Sequence, residues 1–336
     1  ARQILQFRPA RLLLLDHSEL NLYEIDRELR ASPNEMSRVI PLLVDIKDAD
    51  NLERVFKTYT PDFVFHAAAY KHVHLVEANP FSSILNNVMG TRNCIEFSKK
   101  YDVENFILIS SDKAVNPVGV MGATKRLCEL MVTQAGLQTG NRFASVRFGN
   151  VLGSSGSLIP LLQKQILEED MVTITDKEMV RYFMLIPEAV SLVLNASSMA
   201  EPGDVMVLKM GEPIKIVDIA KTLISLMGKS PEEVSIVYTG MRPGEKLFEE
   251  LYIDGNELIT EDPDILVIPR GDSAMLSRDM ERVSEEINQM IADSQAGSHD
   301  AVSRMRDLVR SINTSSDDFL LFSYAPTESM RATTPN

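Results

Sequence analysis

Basic residues are in deficit in this chain of 336: Lys and Arg total 34 against 48 Asp and Glu, for a net charge of −14. A global cationic surface for nucleic acid is excluded as the driving feature. Cysteine is scarcer, with only Cys94 and Cys128. That excludes a disulfide framework and a cysteine-rich zinc site, and it fits a reducing compartment. Long apolar runs are missing: stretches such as Leu12–Leu15 fall far short of a membrane span. No basic-then-apolar secretion signal opens the chain, so any membrane link is expected from a region outside it. Glycine is absent before Gly90.

What the chain has in quantity is apolar sequence. Hydrophobic residues make up 44%, enough for a large core, and the length predicts about two domains, or one large α/β unit with an appended lobe. Apolar runs of strand length lie at Arg11–Asp16, Val39–Val44, Asp62–Ala69, Asn105–Ser110 and Arg142–Asn150. Helical stretches alternate with them, roughly Ser18–Ala31, Asp48–Thr58, Pro80–Lys100 and Val120–Gly136. Near-continuous apolar strands imply burial on both faces. Strand alternating with helix predicts a Rossmann-like, doubly wound α/β fold with a parallel sheet. Ser18 is placed to cap the first helix and Gly136 to end the last.

After Asn150 the rhythm changes. Gly and Ser gather at Gly153-Ser154-Ser155-Gly156-Ser157. A helix near Leu158–Glu168, a short strand near Val172–Thr175 and a helix near Ile186–Ser198 follow, and Ile216, Ile219, Leu223 and Leu226 mark one face of another helix. A smaller α+β lobe is expected. The division reads as 1–150 for the sheet domain, 151–293 for the second lobe and 294–336 for a C-terminal helix and a polar tail that frays at its end. No internal repeat is visible.

Doubly wound dinucleotide folds open with a strand, a Gly-rich turn and a helix. Here Ala1-Arg2-Gln3-Ile4-Leu5-Gln6-Phe7 reads as the back half of such a helix, leading through Pro9 into the strand at Leu12. The first strand and its phosphate loop are absent from this sequence. A chain truncated at its start is the favoured expectation, and a fold that never had the loop is the alternative.

Several residues stand where such folds do chemistry. Asp16 ends a strand, where a carboxylate accepts hydrogen bonds from ribose hydroxyls or simply starts a helix. Asp45 follows the next strand, placed to read an adenine amine with Ile46 packed on the ring. Ala67-Ala68-Ala69 close a buried strand and let another backbone approach. Lys71, His72 and His74 follow; the His-x-His pair has no further ligand cluster, so no metal is expected. Ser110-Ser111-Asp112-Lys113 bring a hydroxyl, a carboxylate and an ammonium to one strand end. Met121 and Lys125 lie one helical turn apart on a shared face. Each of these also has a plain reading as a turn residue or a solvated charge. Arg147, Arg181 and Arg242 are candidate diphosphate clamps or surface ion pairs.

Taken together, these runs resemble a known family. His66-Ala67-Ala68-Ala69-Tyr70-Lys71-His72-Val73, Asn86-Asn87-Val88-Met89-Gly90-Thr91, Ser110-Ser111-Asp112-Lys113-Ala114-Val115-Asn116-Pro117, Met121-Gly122-Ala123-Thr124-Lys125-Arg126, the run from Arg147 to Ser157, Arg181-Tyr182-Phe183-Met184 and Arg242-Pro243-Gly244-Glu245-Lys246 occur in order over about residues 10 to 255. The chain resembles the extended short-chain dehydrogenase/reductases. Within them it is similar to the bacterial CapD-type polysaccharide-biosynthesis dehydratases, the UDP-N-acetylglucosamine 4,6-dehydratases. It departs from them twice: the Gly-rich loop is missing, and Met121 stands where the usual catalytic Tyr would be, four before Lys125. Methionine neither gives nor takes a proton. Some members, chiefly long membrane-anchored ones, share this Met.

The resemblance implies a redox-neutral dehydration with a regenerated NAD(P), NAD being favoured. NAD takes hydride from C4 of the sugar, a base removes the C5 proton, the C6 hydroxyl leaves with a proton, and hydride returns to C6. It implies Asp112 as acid, Lys113 as the C5 base, Ser111 on the C4 oxygen and Lys125 on the nicotinamide ribose, with Met121 inert. A basic Lys113 should have a depressed pKa. The implied cofactor contacts are Asp16, Asp45, Ile46, Ala67, Ala68, Ala69, Lys71, Asn87 and Lys125. The implied substrate contacts are His72, Asn150, Ser157, Arg181, Met184, Arg242 and Glu245. A homo-oligomer paired through Pro80–Lys100 and Val120–Gly136 is expected, in the cytoplasm or on the cytoplasmic face of the inner membrane. The rivals are a UDP-hexose 4-epimerase, which needs no acid–base pair at C5 and C6, and a non-catalytic nucleotide-binding protein.

Overall fold

The computed structural model describes residues 1–30, 38–154, 156–230, 232–252, 258–268 and 273–312, the side chains of 273–280 and 312 excepted. The Ser155 of the Gly/Ser loop and the polar tail expected after the last helix lie outside the described residues.

The alternation of apolar strands and helices forms as its pattern requires. Strands β1 (Leu12–Asp16), β2 (Val39–Leu43), β3 (Phe63–His66), β4 (Asn105–Ile109) and β5 (Arg142–Arg147) come in order, with helices α1 (Glu19–Leu29), α2 (Ala49–Tyr59), α3 (Gly90–Lys100) and α4 (Val120–Thr139) between or beside them. Ser18 and Asp48 cap α1 and α2, each accepting from the backbone N–H three residues on. The expected stretch Pro80–Lys100 is continuous but not uniform. Ile84–Met89 form a wide π-helical turn, with Asn86 and Asn87 buried in it, a departure common near functional sites.

Two strands fall short of their apolar runs by more than one residue. β3 stops at His66, leaving Ala67 to Ala69 as an open turn, and β5 stops at Arg147, with Asn150–Leu152 forming a separate short strand. Gly136 does not end α4. The helix runs on to Thr139 and closes on Gly140 at φ +75°. A Cβ on Gly136 would come within 2.5 Å of the Gly203 nitrogen, so this glycine permits a close approach of backbones.

The sheet departs from a single doubly wound layer. β1 and β2 pair in parallel as a two-stranded unit. The remaining strands make a six-stranded sheet in which β3, β4 and β5 run parallel and β6 (Val205–Leu208) adds in parallel beside β5. β7 (Leu258–Ile259) and β8 (Ile265–Val267) complete it antiparallel, β8 against β6 and β7 against β8 at the edge. Residues beyond 150 therefore build half of the main sheet, and the expected boundary at that position is not a clean one. The smaller lobe has its own core of Leu162, Ile166, Val172, Ile174 and Ile224, around short ladders such as 171–174 with 235–238.

The C-terminal segment is a helical hairpin, α5 (Ser273–Gln295) and α6 (Asp300–Ile312). Its apolar face carries Ile287, Met290, Met305 and Val309 into one core with Leu127, Met131 and Val132 of α4. Between this core and the sheet, fifteen of the twenty residues of α4 are buried. The surface expected to pair two copies is thus covered within the chain, by a segment whose own apolar stripe needed burial. Among the described residues no helix is long and apolar enough to cross a membrane.

Candidate active site

The carboxyl ends of β3, β4 and β5 open onto a cavity of about 410 Å³. Three turns supply its walls. After β3, Ala67 and Ala68 are exposed for lack of side-chain bulk, and Ala67, Ala69, Lys71 and His72 line the space. Asn87 holds this turn: its Oδ1 accepts from Tyr70 N at 2.7 Å and its Nδ2 donates to Tyr70 O at 3.1 Å and to Thr124 Oγ1 at 3.0 Å. The Asn87 amide is therefore committed to the protein, a positioning role rather than the expected cofactor contact.

After β4, Ser110 points inward and Ser111 and Lys113 line the cavity. Asp112 lies directly behind them, wholly buried and not part of the lining. Its Oδ1 accepts from Ser111 Oγ at 2.8 Å and from Lys113 Nζ at 3.0 Å, and its Oδ2 is buried without a hydrogen-bond partner. Lys113 Nζ also donates to Asn150 Oδ1 at 3.3 Å and sits 3.3 Å from Glu249 Oε1. Burial opposes the Lys113 charge, but the Asp112 and Glu249 carboxylates outweigh it and hold the ammonium above its usual range. This corrects the expectation of a depressed lysine, which missed that Glu249 joins Asp112 as a second carboxylate on the one amine.

Helix α4 supplies Met121 and Lys125 on the face expected, both lining the cavity. Lys125 Nζ donates to Ile109 O at 2.6 Å, and burial pushes its pKa down. Gly122 makes this placement possible: a Cβ there would stand 2.1 Å from Lys113 O. Glu77 caps the helix, with Oε1 accepting from Val120 N at 2.6 Å. Glu129, one turn after Lys125, locks α4 to the sheet. It is fully buried and accepts from Ser110 Oγ, Arg147 Nε and Arg147 Nη2, each at 2.6 Å. Burial would raise the Glu129 carboxyl, but Arg147 outweighs that and holds it at about 2.

The structure brings together Ala67, Ala69, Lys71, His72, Ser111, Lys113, Met121, Lys125, Asn150 and Ser157, and it places other expected contacts elsewhere. Arg181 is buried, its guanidinium donating to the carbonyls of Val180, Leu247 and Lys246 at 2.7 to 3.2 Å. It clamps a loop, not a diphosphate. Met184 is buried in the core under β5, and Phe183 lines the cavity in its place. Arg242 is exposed and closes a turn on Glu245, away from the cavity lining. Ile46 packs into the core against Gly90. Asp16 and Asp45 stand at their strand ends as expected, each with Oδ1 accepting from a backbone N–H two residues on.

Sequence reasoning did not reach Glu249, Glu129 or Glu77. Nothing in the local pattern of Glu249-Glu250 marks which of the two turns inward. Among the described residues no group of His, Cys, Asp or Glu is arranged to hold a metal ion.

Parallel strands with a cavity at their carboxyl ends, flanked by helices, define a Rossmann-type α/β protein with a strand-end site. The chain belongs to the polysaccharide biosynthesis protein family, whose model matches residues 1–269. It is 47% identical over 258 residues to the capsular polysaccharide biosynthesis protein CapD of Staphylococcus aureus, covering 76% of this chain and 43% of CapD. The chain thus spans less than half the length of that relative. It is 32% identical over 247 residues to UDP-N-acetylglucosamine 4,6-dehydratase (inverting) of Campylobacter jejuni, covering 72% of this chain and 70% of that protein. Among solved structures, Pen from Bacillus thuringiensis superposes with a TM-score of 0.73 at 34% identity, covering 80% of this chain and 84% of Pen.

Proposed function

We propose that the protein is a nucleotide-sugar 4,6-dehydratase that removes water from UDP-N-acetylglucosamine, with NAD as its regenerated cofactor, in bacterial polysaccharide or glycan biosynthesis. The observation that carries this reading is the meeting of Ser111, Lys113, Met121 and Lys125 in one cavity, with Asp112 buried behind them. The family match and the dehydratase relative support it.

The nicotinamide end of a dinucleotide fits the exposed Ala67-Ala68 turn and the Lys125 ammonium. The diphosphate cradle of such folds has no counterpart in residues 1–89, which contain no glycine. When bound, NAD would take hydride from C4 and return it to C6. Ser111, whose hydroxyl hydrogen goes to Asp112, accepts from the C4 hydroxyl and orients it. Lys113 removes the proton from C5, which the neighbouring ketone acidifies. As C4 is oxidised its hydroxyl proton passes through Ser111 to the Asp112 carboxylate, and Asp112, which does not itself face the cavity, returns that proton through Ser111 to the departing C6 hydroxyl. Met121 contributes shape alone.

Mass spectrometry of UDP-N-acetylglucosamine incubated with the protein and NAD tests this. Loss of one water from the sugar nucleotide is expected. An isomer of unchanged mass would make the protein a 4-epimerase. Retained NAD with no change in any UDP-sugar would make it a binding protein.

A further inference from the structure

We propose that Glu249 is the buried acceptor that takes a proton from Lys113, so that Lys113 meets the sugar as a neutral amine. The proposal rests on the base role given to Lys113 above. It answers a difficulty the structure creates: Lys113 is held as an ammonium, and an ammonium cannot remove the C5 proton.

The geometry names the acceptor. Of the groups around Lys113 Nζ, Asn150 offers a carbonyl that takes no proton. Asp112 Oδ1 is already shared with Ser111, and although its Oδ2 is likewise buried without a partner, Asp112 is committed to carrying the proton that leaves with the C6 hydroxyl. Glu249 Oε1 lies 3.3 Å from Nζ, and its second oxygen, Oε2, is buried with no hydrogen-bond partner. Glu249 is buried and absent from the lining of the main cavity. It lines instead a second, small cavity of about 10 Å³ behind Lys113, together with Gly119, Gly122, Gly244 and Lys246. That is close to the room one water needs.

The charges facing Glu249 are Lys113 and Asp112 from the turn after β4, Arg181 at 3.7 Å, and Lys246 from its own loop. Arg181 is spent on three carbonyls, and Lys246 Nζ on Val115 O and Glu250. Two carboxylates, Asp112 and Glu249, therefore compete for the one Lys113 ammonium, and burial pushes the Glu249 carboxyl up, towards its protonated form. In the transfer an N–H bond of Lys113 breaks and an O–H bond forms on Glu249. The pair stays neutral overall, and two buried charges become none, which removes their desolvation cost. Lys113 then takes the C5 proton, becomes an ammonium again, and returns that proton to C5 when C6 is reduced.

Glu249→Gln keeps shape and hydrogen bonding while removing the acceptor. With Glu249 present, the neutral-amine fraction belongs to the pair and is level across neutral pH. In the E249Q variant, Lys113 must lose its proton to solvent, so that fraction rises about tenfold per pH unit. Two readouts follow in the full chain. The first is kcat for water loss against pH: level in the wild type, low near neutrality and rising log-linearly in E249Q. The second needs no turnover: pulse acylation of Lys113 by a small anhydride, read by mass spectrometry, with the same two profiles. Identical profiles in both proteins, or an equal loss of kcat at every pH with a lower thermal midpoint, would reduce Glu249 to a structural counter-ion. If the wild type removes no water, the dehydratase reading fails, and the acylation profiles still decide the role of Glu249. If E249Q does not fold, the wild-type acylation profile decides alone: level supports the pair, log-linear overturns it.

Discussion

Arg147→Met removes the guanidinium that fastens the sheet to the helix bearing Met121 and Lys125. Glu129 is 0% exposed and takes two of its 2.6 Å bonds from Arg147, leaving Ser110 Oγ and a 3.2 Å bond from Arg126 when Arg147 is gone. Its carboxyl is held at about 2 against an ordinary 4.5, a difference corresponding to about 3 kcal/mol of folded-state stabilisation. Breaking a buried pair by removing one partner typically costs about 3–5 kcal/mol, so two routes agree on about 3–4 kcal/mol. Because the folded pKa is depressed, this stabilisation is complete above about 4.5 and is lost as pH falls towards about 2. In Arg147→Met burial favours the protonated Glu129, so the gap between variant and wild type narrows on acidification. Urea midpoints of both proteins at about pH 7 and about pH 3 measure it. A penalty under about 1 kcal/mol at neutral pH, or the same penalty at both, would refute the reasoning. Restoring part of the loss with Glu129→Leu on top of Arg147→Met would support it, since an apolar pair replaces an orphaned charge.

Lys113→Ala should lower kcat for water loss by at least about 10²-fold while bound NAD is retained; normal product formation would remove Lys113 from the mechanism. Met121→Ala should cost less in kcat than Lys125→Ala, because Met121 offers only shape and Lys125 a charge in the cavity; steady-state kinetics showing the reverse order would overturn the assignment. Gly122→Ala puts a Cβ 2.1 Å from Lys113 O, so it should destabilise by about 1–3 kcal/mol and depress kcat by displacing Lys113; an unchanged thermal midpoint would contradict the packing. Deleting residues from 273 onward uncovers Leu127, Met131 and Val132 on α4. Light scattering should then show self-association, and a variant with unchanged mass and midpoint would mean that the hairpin is not what covers this face.

The local grammar was legible in the residues themselves: which runs became strands β1 to β5, which stretches became helices, that Ser111 and Lys113 share a strand end, and that Met121 and Lys125 share a helix face. Each rests on short-range physics. Strand burial is written in unbroken apolar runs, helical faces in a spacing of three to four residues, and Lys125 falls beside Met121 whatever the rest of the chain does. Folding settled everything that depends on which distant group arrives. Arg181 and Arg242 sit in similar local settings, yet one is drawn inward by three carbonyls and the other stays in water. The α4 face was legible as apolar, but whether a second copy or the chain's own hairpin covers it is set by segments far along the sequence. The charge of Lys113 was misjudged for the same reason. Its neighbours in the chain announce Asp112, while Glu249, brought in by folding, turns a half-buried lysine into one half of a proton-sharing pair.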